Sequence, residues 1–154
     1  MDTKLLKIPM QKVAVRLHYA GGEALSGEIY LSQHSSIHLG PMTVREMLEE
    51  EAPFFAFASA AGDCLLNKDQ IEVVRYAADL FRDELESASL VERGRTVVTD
   101  LASGLRVEGE LCEDLPPERS RRIDGLNQAG RFLRLRQGDE FLLVNKAKIL
   151  RCYF

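Results

Sequence analysis

The chain has 154 residues, with 20 Lys and Arg set against 24 Asp and Glu, for a net charge of −4. That balance excludes a general nucleic-acid coat protein, which carries a basic excess, and no apolar run approaches the roughly 20 residues of a membrane-crossing helix. The 45% apolar content is enough for a core.

Residues 1–11 hold no long apolar region of the kind a secretory leader needs. Cys64, Cys112 and Cys152 are an odd, widely spaced set without a CxxC pair. This is no disulfide framework, so each reads as a small buried apolar group in a reducing, cytoplasmic setting.

In chain order, Val13, Val15, Leu17 and Tyr19 alternate with Ala14, Arg16 and His18, the period of a half-buried strand. Gly21-Gly22 reads as a hairpin turn and 25–31 as the return strand, with Gly27 marking a bend. After an irregular stretch, Thr43 and Glu46 have capping-box spacing and predict a short helix over 44–51, with Glu49–Glu51 on a solvated face. Phe54–Phe57, 64–67 and 71–76 follow as strands. The apolar period then changes to three and four at Ala77, Leu80, Phe81, Leu85 and Ala88, which predicts an amphipathic connecting helix with Arg82 and Glu86 on its wet side. Beyond Gly94 come strands at 95–101 and 105–111 and a Pro116-Pro117 loop. A short helix around 122–128, weakened by Gly125, precedes strands at 132–135, 140–145 and 148–153.

The second half answers the first. Leu143-Val144-Asn145-Lys146 repeats Leu65-Leu66-Asn67-Lys68, Phe132–Leu135 answers Phe54–Phe57, and glycines match at 22/104, 27/109 and 62/138. An offset of about 80 residues runs through both halves, which is the mark of an internal duplication.

The pattern Val13-x-Val15-x-Leu17, Gly22, Leu25-x-Gly27-x-Ile29 resembles the opening of the Sm-like family of small, strongly bent β-barrels. Leu65-Leu66-Asn67-Lys68-x-x-Ile71-x-x-Val74 is similar to that family's closing strands. The likeness covers the two ends of each repeat, about two thirds of it. The middle departs: where the family carries an Asp…Asn nucleotide pocket, this chain has a loop and helix 44–51. Asn67-Lys68 and Asn145-Lys146 replace the family's final Arg-Gly. The resemblance therefore implies a fold and a tendency to pair strand edges into oligomers, but not RNA binding. Each repeat also looks like an uncharacterised bacterial domain with a Phe-rich strand before Asn-Lys-x-x-Ile, a likeness that implies no activity.

The expected fold is mainly β. Residues 1–76 and 95–154 form two similar antiparallel, strongly bent domains of Sm-like barrel type, each with a short helix, joined by an amphipathic helix over 77–94. No Ser/His/Asp order, phosphate loop or dinucleotide fingerprint is present. No cofactor or metal is expected, and His34 and His38 read as loop histidines because Gly40-Pro41 disfavours the helix that ligand spacing would need. The candidate contacts for an anion or a partner are Lys68, Lys146, Arg119, Arg121, Arg122, Arg131, Arg134 and Arg136. The leading expectation is a non-enzymatic protein-interaction or scaffold module acting on a protein partner or on itself. The alternative is nucleic-acid or nucleotide binding through the Arg119–Arg136 patch, where guanidinium forks suit phosphate.

Overall fold

A computed structural model describes residues 10–35, 37–38, 40–81, 84–85, 96–113 and 122–154. Among these residues, ten strands run in chain order: β1 (Met10–Tyr19), β2 (Glu23–Ser32), β3 (Phe54–Ser59), β4 (Gly62–Asn67), β5 (Ile71–Ala77), β6 (Thr96–Leu101), β7 (Arg106–Leu111), β8 (Phe132–Gln137), β9 (Glu140–Asn145) and β10 (Ile149–Tyr153). Among the described residues, two short helices accompany them, α1 (Val44–Glu49) and α2 (Arg122–Leu126), and Glu84 and Leu85 are also helical.

The strands form one antiparallel sheet in the order β10-β6-β7-β8-β9-β5-β1-β2-β3-β4. The expectation of two separate barrels is thereby corrected: the sheet is single and unclosed. Each half nevertheless has the same internal order, β5-β1-β2-β3-β4 in the first and β10-β6-β7-β8-β9 in the second. The halves meet where β5 pairs β9, from Val73 opposite Val144 to Ala77 opposite Glu140.

Local sequence explains the elements. In β1 the buried residues are Val13, Val15 and Leu17, while Ala14 and Arg16 face out, as the period of two requires. Gly21 and Gly22 take φ of 75° and 80° to turn β1 into β2, a conformation side-chain-bearing residues rarely adopt. Gly27 is required by close approach: a Cβ there would lie 2.2 Å from the Ala58 carbonyl oxygen of β3. Gly109 sits against β8 in the same way, a Cβ there lying 3.0 Å from the Arg136 carbonyl oxygen. Helix α1 starts at the predicted capping box, with Thr43 accepting from the Glu46 backbone N–H.

The expected helix over 77–94 does not begin where the apolar spacing placed it. Ala77 ends β5 and Ala78–Leu80 form a 3-10 turn. The Ala78 N–H donates to the Asp139 carbonyl, and Phe81 turns inward to meet Tyr76 edge-on at 6.3 Å between ring centres. Those two contacts hold the chain on the sheet. The expected Arg82–Glu86 pair lies outside the described residues.

The central strands separate two cores. Val74, Tyr76, Phe141 and Leu143 join a cluster with Val15, Ile29, Leu48 and Phe57. Their alternating neighbours Val73, Leu142 and Val144 join Val97, Val107, Leu133 and Leu135. β5 and β9 are thus buried on both faces, and each half supplies side chains to the core of the other.

Candidate functional site

The Asn-Lys turns carry the same contacts in both halves. Asn67 Oδ1 accepts from the Asp69 N–H and Asn145 Oδ1 from the Ala147 N–H, each at 3.0 Å. The following lysine then reaches the helical segment of its own half. Lys68 Nζ donates to the Met47 and Glu50 carbonyls at 2.7 and 3.1 Å, while Lys146 Nζ donates to the Gln128 carbonyl at 2.6 Å. Lys68 is only 2% exposed, and burial holds its ammonium below the usual lysine range. Both lysines therefore donate to carbonyls at a helix end or a chain reversal, the Met47 carbonyl accepting from the Glu50 N–H as well.

The arginines of the predicted basic patch do not share one surface. Arg134 lies inside, its Nε donating to the Cys112 carbonyl and its Nη1 3.5 Å from the Glu84 carboxylate. Arg131 pairs with Asp69, and Arg136 donates to the Gly138 carbonyl. Arg119 and Arg121 lie outside the described residues, as does the Arg122 side chain.

Around Arg134 runs a network that ties α1 to β8. Arg45 donates to Glu113 and to the Phe132 carbonyl, at 2.9 and 3.0 Å. Glu49, expected on a solvated face, instead accepts from the backbone N–H groups of Arg131 and Phe132. Below them Tyr76 donates to Glu84 at 2.7 Å. Burial pushes the Glu84 carboxyl up, against the opposing influence of Tyr76 and Arg134. A cleft of about 840 Å³ lies over this network, with Ile37, Pro41, Leu80 and Phe81 among its apolar walls. At its rim His38 meets Glu46, which also accepts from Ser35. Burial raises the Glu46 carboxyl, but hydrogen bonds from Ser35, His38 and the Thr43 backbone outweigh it and hold the group below its ordinary value. The charged groups on the cleft floor are already paired with one another. The thiols of Cys112 and Cys152 are pushed up by burial, which favours the less reactive protonated form.

The sheet ends are less complete. Among the described residues, β4 pairs only with β3, and β10 only with β6. Each end also carries exposed apolar side chains: Phe54 (55%) and Leu65 (70%) at one, Leu150 (63%) and Phe154 (64%) at the other. Cys64 on β4 and Cys152 on β10 lie on these two edge strands, both as free thiols. No protein-family model matches the chain, and no curated protein or solved structure is significantly similar to it.

Sequence reading passed over Glu72, Glu84 and Glu113, all buried acids. Glu72 left a signal: a carboxylate set between Ile71 and Val73 interrupts an otherwise apolar strand. Glu84 and Glu113 left none, because their arginine partners come from other elements.

Proposed function

We propose that this chain is a non-enzymatic interaction module that works by adding strands at its two open edges, with a second copy of itself as the partner. The observation that supports the reading is the β5–β9 ladder. β10 holds the place in the second half that β5 holds in the first, and β4 holds the place of β9. The chain already joins these two kinds of edge once, internally, and carries one more of each at its ends. Duplication of one small bent β-unit is the simplest origin of that arrangement. Unpaired strands with exposed apolar side chains are templates for pairing.

Because the two edges differ, the contact is head-to-tail, and repeated addition gives a closed ring or an open filament according to the rotation per copy. The internal junction also supplies a register. Val74 faces Leu143 in the chain, and their counterparts are Cys152 of one copy and Leu65 of the next. Arg75 faces Leu142, which places Tyr153 opposite Cys64.

The register gives the test. In a Cys64→Ser, Leu65→Cys variant, mild oxidation links the new thiol to Cys152 of the next copy, so multiples of the chain mass appear on a non-reducing gel. A further Cys152→Ser change removes them. A variant that stays monomeric under oxidation overturns the reading.

A further inference from the structure

A smaller cavity, of about 370 Å³, lies between the halves. Ala20, Gly21, Gln70 and Glu72 line it from the first half, and Ala102, Ser103 and Lys148 from the second. Its volume falls at the lower end of the range for small-molecule sites.

Glu72 is 2% exposed, and only one of its oxygens is used: Oε2 accepts from the Ser103 N–H at 3.2 Å. Oε1 has no hydrogen-bond partner among the described residues, and it is the one buried side-chain polar atom among them left so. A buried carboxylate oxygen without a donor costs its full desolvation, which calls for an occupant that supplies the donor. Lys148 lines the same cavity. Its ammonium makes no hydrogen bond and no ion pair with Glu72 among the described residues, although its backbone carbonyl holds the Ala102 N–H. The cavity thus presents an acid and a base from opposite halves that do not neutralise each other. A simple cation is repelled by Lys148, and a simple anion by Glu72. A molecule carrying both charges satisfies both.

We propose that this cavity binds a small zwitterion of the α-amino-acid type, its ammonium donating to Glu72 and its carboxylate accepting from Lys148. Each half supplies one pole, so occupancy also bridges the halves beside the β5–β9 ladder. The site stands apart from the edge-pairing reading, and neither depends on the other.

The test titrates the full-length protein with glycine, L-alanine and L-serine, and with acetate and methylamine as single-charge controls. Binding is followed by heat and by the amide resonances of Ser103 and Lys148. The expected result is saturable binding of at least one amino acid, shifts at both amides, and no saturation by either control. Glu72→Gln, which keeps an acceptor for Ser103, and Lys148→Met, at a partly exposed position, each weaken binding about tenfold or more. Circular dichroism of both variants confirms that they are folded. No binding by any of the three amino acids overturns the proposal, as does equal binding by a control or undiminished affinity in both folded variants.

Discussion

Replacing Gly27 with Ala probes the bend that brings β2 against β3. The added Cβ would sit 2.2 Å from the Ala58 carbonyl oxygen and 2.7 Å from Phe57 Cζ. The first is a backbone atom, so the strands must part by roughly 1 Å to restore ordinary contact. Only two residue pairs, Glu28–Ala58 and Ile29–Phe57, register β2 with β3, and Phe57 is fully buried, so little slack exists. Overpacking of this kind costs about 3 kcal/mol, the upper end of its usual range. The loss of glycine's freedom in the unfolded chain returns about 0.4–1 kcal/mol. The net is a loss of about 2–3 kcal/mol, or roughly 4–12 °C in melting temperature for a chain of this size. Gly109 supplies the internal control, because its added Cβ meets Arg136 oxygen and Leu135 Cβ at 3.0 Å, a distance a small shift relieves. Gly109→Ala should cost no more than about 1 kcal/mol. Urea unfolding of both variants measures the difference. Equal effects, or a neutral Gly27→Ala, would refute the argument that close strand approach is why glycine occupies position 27.

Three further outcomes follow from the buried charges. Lys68→Met removes a buried donor shared by two carbonyls at the end of α1, of which Met47 keeps its bond from the Glu50 N–H, and should lower stability by about 1–3 kcal/mol, whereas Lys146→Met, which loses one bond at an exposed site, should cost under about 1 kcal/mol; chemical denaturation ranks the two. Glu84 titrates above an ordinary carboxylate because it is buried, so the native state holds its proton to higher pH than the unfolded chain does. Its contribution to stability is fully present below the unfolded value and is lost as pH rises through the raised one. Glu84→Gln should remove that fall, seen by comparing unfolding free energies of the two proteins from about pH 4 to about pH 7; an unchanged pH slope contradicts it. Tyr76 is likewise held well above its ordinary range by burial and by Glu84. Stability should therefore decline above about pH 10, where the unfolded phenol ionises first, and Tyr76→Phe should flatten that decline.

Much of the architecture was legible because it is local. The period of two in β1, the Thr43–Glu46 capping box and the Asn67 and Asn145 turns each encode their element within a few residues. The matched glycines marked the bends for the same reason. What escaped depends on partners far along the chain. β5 and β9 are joined by backbone hydrogen bonds between residues about 70 positions apart, and a backbone ladder leaves no side-chain signature. Double burial of these strands gave only apolar runs, which do not say which strand lies alongside. Phe81 fitted a helical stripe, yet packing on Tyr76 outweighed that local preference. Arg134 looked like part of a basic surface because its compensating acid, Glu84, comes from another segment. Lys68 looked available for the same reason, its acceptors being carbonyls of α1 and the residue after it.

The mass of the native chain in solution, measured by size-exclusion chromatography with light scattering across a concentration series, tests the edge-pairing account most directly. The account predicts particles at whole multiples of 17.3 kDa, shifted to the single-chain mass by Tyr153→Pro, which removes a donor and stiffens β10. A uniform 17.3 kDa species at every concentration would contradict it.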